Sequence, residues 1–155
     1  MSEAIKYFGS HSFSETGAPK TPADARRRKL NILVVDDSEE TRKLICRALR
    51  QIDFGVDVNP LEAGNGAEAL HLIKRGLVDV VLADWRMPEM NGLEMLKKIR
   101  QSEQLSEVPV IMLTAAALRE DVMEAVRAGV TDYILKPFTI KALEEKIKPV
   151  LIGRG

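Results

Sequence analysis

The chain has 155 residues, in which 23 Lys and Arg balance 23 Asp and Glu and 45% are hydrophobic. That suits one domain with a sizeable core, and the charge balance argues against a protein whose main business is coating nucleic acid or an anionic membrane. One cysteine (Cys46), two distant histidines (His11 and His71), no apolar run of about 20 residues and no apolar signal core argue against disulfides, a Cys- or His-rich metal site, membrane insertion and secretion, so a cytoplasmic protein is expected.

Residues 1–29 contain Gly9, Gly17, Pro19 and Pro22 among serines and threonines, without sustained periodicity. They are expected to form a flexible N-terminal extension, with Tyr7, Phe8 and Phe13 available to dock. The run Arg26-Arg27-Arg28-Lys29 closes it and is expected to be a solvated flank.

From Leu30 the pattern alternates. Ile32-Leu33-Val34-Val35 fits a buried strand. Ser38 to Ile52 predicts a helix with Leu44, Ile45, Ala48, Leu49 and Ile52 on one face. Val56 to Ala63 is a weak strand, and Pro60, which cannot donate to a ladder, makes it an edge. Asn65 caps a helix with Glu68 at its third position, Ala69, Leu70 and Ile73 inward and Gly76 as its stop. Val78 to Ala83 is a strand, and Asn91 caps a helix carrying Leu93, Leu96 and Ile99 inward. Val108 to Leu113 is a strand, followed by a helix with Leu118, Val122, Ala125 and Val126 inward and Gly129 after its end. Val130 to Leu135 is the fifth strand. Thr139 caps a last helix with Ile140, Leu143 and Ile147 on one face, and Pro149 predicts an end or kink near Lys148.

Strands apolar on both parities are covered on both faces, which implies a doubly wound parallel α/β sheet. In such sheets ligands bind outside the carboxyl ends of the strands. Asp36 and Asp37 follow the first strand, Asp84 the third, Thr114 the fourth and Lys136 the fifth. Each has an ordinary alternative: Asp37 or Ser38 as a helix cap, Asp84 as a turn residue, Thr114 as a cap, Lys136 as a solvated lysine. Together they put three carboxylates, a hydroxyl and an ammonium on one rim. A hard divalent cation such as Mg²⁺ would relieve the mutual repulsion of the carboxylates. A cation, a lysine and a free carboxylate make a receptor for a phosphoryl group with the carboxylate as nucleophile.

The segments ILVVDDS, VVLADWRMPEMNGLEMLKKIR, VPVIMLTA and DYILKPFT resemble the receiver domain of two-component response regulators, closest to the stand-alone chemotaxis (CheY-like) type. The resemblance spans residues 30–152. It implies a flavodoxin-like five-stranded sheet of order 2-1-3-4-5 with helices on both faces. It implies that Asp84 accepts a phosphoryl group from a phosphohistidine of a histidine kinase. Asp37 and Asp84 would ligate Mg²⁺ with the backbone carbonyl of Arg86, and Asp36 would hold a bound water. Thr114 would be the switch hydroxyl, Ala115 the small residue that leaves access, and Lys136 the partner of the phosphoryl oxygens. Pro137 would follow a cis peptide, and Tyr133 would be the aromatic switch. The resemblance also implies a downstream protein target bound through the fourth helix, fifth strand and fifth helix.

No output domain fits after Leu151, so the expectation is a phospho-accepting signalling switch that catalyses only its own phosphotransfer and dephosphorylation. A phosphorelay intermediate that passes the group to a histidine phosphotransfer protein would use the same residues. A phosphatase with an aspartyl nucleophile would want a second Asp where Arg86 stands, and arginine does not exchange protons at neutral pH. A P-loop and a Gly-rich dinucleotide turn are absent.

Overall fold

The apolar runs become strands and the 3.6-period segments become helices, in strict alternation. In chain order these are β1 (Leu30–Val35), α1 (Glu39–Arg50), β2 (Val58–Ala63), α2 (Gly66–Lys74), β3 (Val80–Asp84), α3 (Gly92–Gln101), β4 (Val110–Thr114), α4 (Arg119–Ala128), β5 (Asp132–Leu135) and α5 (Ile140–Arg154). The computed structural model describes residues 29–115 and 119–154. The expected N-terminal extension up to Arg28, with Tyr7, Phe8 and Phe13, lies outside them, as does Leu118.

All strand pairs are parallel, in the order β2-β1-β3-β4-β5. Parallel neighbours require crossovers, and the helices supply them on both faces. Alternation along the strands divides the core in two. Ile32, Val34, Val80, Leu82, Ile111, Leu113 and Ile134 face one layer with Ile45 and Leu49 of α1 and Leu143 and Ile147 of α5. Leu33, Val35, Val81, Ala83, Val110 and Met112 face the other with Ala69 and Ile73 of α2 and Leu93, Leu96 and Ile99 of α3. Each fully buried aliphatic side chain contributes roughly 1.5–3 kcal/mol.

The helix ends follow local chemistry. Ser38, Asn65 and Asn91 accept hydrogen bonds from the amides of Thr41, Glu68 and Glu94, and Thr139 Oγ1 accepts from Ala142. Gly76 (φ 74°) follows α2. Gly129 (φ 92°) closes α4 by a paired turn, in which its amide reaches Val126 O and the Val130 amide reaches Ala125 O. Pro60 sits in β2, which is an edge strand as expected.

Three inward assignments and the end of the last helix need correction. Leu44 is 54% exposed, because the buried stripe of α1 runs through Ile45, Ala48, Leu49 and Ile52 and position 44 lies a step of 100° to its side. Val126 is 63% exposed, since Ala125 carries the buried face of α4. Ile140 is 39% exposed at the first turn of α5. The fifth helix does not end near Lys148: it runs through Pro149 to Arg154. Leu143, Ile147 and Leu151 lie four residues apart on its buried stripe, and docking Leu151 carries the helix past the proline. Pro149 itself is exposed, where water can satisfy the carbonyl it leaves free.

Candidate functional site

Parallel strands that start together end together, so the residues after β1, β3, β4 and β5 meet on one rim. One carboxylate oxygen from each of Asp36, Asp37 and Asp84 lies within 4.8 Å of the others. Lys136 reaches in from the end of β5, its Nζ 3.2 Å from Asp84 Oδ1 and 3.5 Å from Asp36 Oδ2. The Lys136–Pro137 peptide is cis. Thr114 is buried at the end of β4, and its carbonyl accepts the Lys136 amide at 2.8 Å, which locks the two strand ends together. Ala115 is exposed beside it.

The carboxylates differ in surroundings. Asp36 is 2% exposed. Its Oδ1 accepts the Ser38 amide at 2.8 Å, while its buried Oδ2 accepts no hydrogen bond among the described residues and has the Lys136 ammonium 3.5 Å away. Asp37 is exposed. Asp84 is half-buried, and burial pushes its carboxyl above the ordinary carboxylate range. The Lys136 ammonium pulls it back down, the Asp36 charge pushes it further up, and hydrogen bonds from Lys136 and the Arg86 amide lower it. Charge at Asp84 is therefore tolerated at a cost, which suits a group that is to be neutralised by a cation or consumed as a nucleophile.

The Arg86 side chain is exposed and lines a cavity of about 420 Å³ with Trp85, Met87, Pro88, Asn91 and Asp121, beside Asp84. Tyr133 pairs with Met112 across the β4–β5 ladder, two residues before Thr114. Strand alternation therefore puts Tyr133 and Thr114 on the same face of the sheet. The Tyr133 ring is half-buried against the α2–α3 layer, with Lys146 Nζ 5.6 Å above it. Lys146 is held there by Asp132 at 3.0 Å.

Two supports escaped the sequence reading. Gly92, at the start of α3, donates its amide to Trp85 O. A β-carbon there would lie 2.5 Å from Asp84 O and collide with Met112 Cε, so only glycine lets α3 start against the end of β3. In the sequence the Asn91-Gly92 pair marks this start, where Asn91 is also the cap. Arg42 of α1 donates from Nη1 to the Asp36 carbonyl at 2.7 Å and from Nε to Glu62 at 3.1 Å. No periodicity marks a lone arginine on an amphipathic helix for that task.

A family model described as the response regulator receiver domain matches residues 32–148. The chain belongs to that family. Receivers are phospho-accepting signalling switches, and the acidic rim stands where such a domain holds a metal ion. The chain is 43% identical over 123 residues to chemotaxis protein CheY-3 of Vibrio cholerae serotype O1, covering 79% of this chain and 92% of that one. It is 40% identical over 121 residues to chemotaxis protein CheY of Pseudomonas aeruginosa, covering 78% and 95%. Among solved structures, Vibrio cholerae chemotaxis protein CheY4 superposes with a TM-score of 0.70 at 32% identity, covering 79% of this chain and 99% of that chain. The signal receiver domain of a signal transduction histidine kinase from Syntrophus aciditrophicus gives 0.71 at 28%, covering 79% and 90%. Among the described residues, no helix is long and apolar enough to cross a membrane.

Proposed function

We propose that this receiver, spanning residues 30–152, takes a phosphoryl group onto Asp84 from a phosphohistidine of a histidine kinase. Mg²⁺ is its resident ion, and the phosphorylated form changes its affinity for a protein partner, as a chemotaxis-type single-domain switch does. The observation that carries this reading is the cluster of Asp36, Asp37 and Asp84 within 4.8 Å, with Lys136 at 3.2 Å from Asp84.

The donor set fits Mg²⁺. It is all oxygen, and the buried Asp36 Oδ2 without a hydrogen-bond donor is an acceptor that a metal-bound water would satisfy. Asp37, Asp84 and the main-chain carbonyl of Arg86 would hold the ion, with Asp36 acting through that water. When bound, the ion supplies charge neutralisation for the carboxylates and the incoming phosphoryl oxygens.

The protein's own part is positioning. An Asp84 oxygen attacks phosphorus, and the phosphorus–nitrogen bond of the donor breaks. The electron pair leaves with the imidazole, and an aspartyl phosphate forms. Lys136, already beside Asp84, pairs with the transferred oxygens, and Ala115 leaves them accessible. Thr114 donates its hydroxyl to one of them, and its movement makes room for Tyr133 on the same face of the sheet. The surface of α4, β5 and α5 changes with Tyr133, which is a population shift driven by a local charge event. Water attack on the aspartyl phosphate returns the resting state, so the chain acts catalytically only on its own phosphoryl group.

The test is label transfer from a ³²P-phosphohistidine donor or acetyl phosphate in Mg²⁺. The parent chain is expected to label, and Asp84→Asn or an excess of chelator to abolish the label. Equal labelling of Asp84→Asn would overturn the assignment.

A further inference from the structure

We infer that Arg42 is a positioning residue for the divalent-cation site, acting through the peptide that joins Asp36 to Asp37. This inference rests on the metal reading above and extends it to a residue outside the cluster.

The Arg42 side chain is 17% exposed, and its guanidinium makes a fork. Nη1 donates to the Asp36 carbonyl at 2.7 Å, and Nε donates to Glu62 Oε1 at 3.1 Å. The Asp36 carbonyl belongs to a rigid planar unit whose other end is the Asp37 amide. Holding that oxygen therefore fixes the plane from which both carboxylate side chains depart. The rest of the turn is tied to the same frame. The Asp36 amide donates to Ala63 O at 3.1 Å, and the Ser38 amide donates to Asp36 Oδ1 at 2.8 Å. Arg42 thus closes a bracket between α1, the end of β1 and the end of β2.

Glu62 sets the fork's direction. It is held ionised by Lys43 and Arg42, and its carboxyl sits below the usual range, chiefly through the hydrogen bond from Lys43. A carboxylate outside the metal cluster therefore balances the arginine charge. A cation standing near a cation site would otherwise only weaken it.

That charge makes the inference testable by sign. If Arg42 were merely one more positive charge near the rim, removing it would tighten Mg²⁺ binding. If it holds the Asp36–Asp37 peptide, removing it weakens binding. Mg²⁺ alone is titrated into the full chain while Trp85 fluorescence is followed, at a temperature where circular dichroism shows every variant folded. Arg42→Ala is expected to weaken the Mg²⁺ Kd at least fivefold. Arg42→Lys, which keeps the charge without the fork, is expected to weaken it similarly. Lys43→Ala removes a charge from the same helix and the same Glu62, and is expected to leave the Kd unchanged or tighter. The second readout needs no metal: amide exchange of Ser38, whose hydrogen bond reports the Asp36 carboxylate, should accelerate in Arg42→Ala and not in Lys43→Ala.

Arg42→Ala binding Mg²⁺ as tightly as the parent, or Ser38 protection unchanged in Arg42→Ala, would overturn the inference. A parent chain without Mg²⁺ binding would overturn the metal reading, and with it the purpose assigned to Arg42. A parent that binds while Arg42→Ala and Lys43→Ala behave alike would sink only the role of Arg42.

Discussion

Replacing Asp84 by asparagine is expected to stabilise the metal-free protein and to remove most of its response to Mg²⁺. At an effective dielectric of about 20, each of the two carboxylates that lie within 4.8 Å, Asp36 and Asp37, repels Asp84 by at least roughly 3 kcal/mol. Lys136 at 3.2 Å attracts it by roughly 5 kcal/mol. These terms largely offset one another, and burial, the largest influence on the Asp84 carboxyl, tips the balance against the charge. A raised carboxyl pKa means that the ionised form is disfavoured by the fold. At neutral pH this costs stability, and the cost is relieved as pH falls through the folded-state pKa of Asp84. Asparagine has no such cost and no such pH dependence. Mg²⁺ bound only by the folded state at ten times its Kd adds about 1.4 kcal/mol. For a domain of this size that is a rise in Tm of about 5 °C. Thermal melts in chelator and in Mg²⁺, at several pH values, give all these quantities. In chelator at pH 7 the variant should melt above the parent, and in Mg²⁺ the gap should close or reverse. A variant less stable than the parent in chelator, or one that gains as much from Mg²⁺, would refute the reasoning.

Lys136→Met leaves Asp36 and Asp84 without their cation, so metal-free stability at pH 7 should fall by about 1–3 kcal/mol, less than for a fully buried pair. Mg²⁺ should recover part of the loss, as urea unfolding with and without the ion would show. Gly92→Ala forces a methyl against Asp84 O and Met112, and should cost about 1–3 kcal/mol and slow labelling of Asp84 by acetyl phosphate. An unchanged labelling rate would show that α3 does not set the nucleophile's position. Tyr133→Ala should accept phosphate at the parent's rate while losing phosphorylation-dependent partner binding. Pull-downs with and without acetyl phosphate separate the two, and a defect in labelling itself would contradict that division.

The rim was legible because strand ends are marked twice, by the close of an apolar run and by the polar residue after it. Asp36, Asp84, Thr114 and Lys136 carry that mark without reference to any contact between them. Caps such as Asn65, Asn91 and Thr139 were equally plain, since their side chains act within one turn. Leu44, Val126 and Ile140 were misplaced because an apolar residue at the edge of a helical stripe satisfies the same period as one at its centre. Leu44 instead lines an open groove of about 400 Å³ with Phe138 and Ile140. Pro149 does not end the helix, because the burial of Leu151 beyond it outweighs the local penalty. Gly92 and Arg42 work through backbone atoms across a loop, beyond the single turn over which a helical pattern records contacts.

The parity of the strands has a consequence for how such a protein changes its connections. Asp84, and Asp36 and Lys136 one residue past their strands, continue the register of Leu82, Val34 and Ile134, toward the layer of α1 and α5. Thr114 and Tyr133 lie on the opposite register, toward α2 and α3. The sheet is thereby a partition, with Asp36, Asp84 and Lys136 rooted on one side and Thr114 and Tyr133 on the other, joined at the rim by the link between Thr114 O and the Lys136 amide. The last helix touches both sides, since Leu143 and Ile147 pack in the layer beneath the charged residues while Lys146 stands over Tyr133. Substitutions on its exposed side can retune recognition under the proposed switch only while its buried stripe is kept.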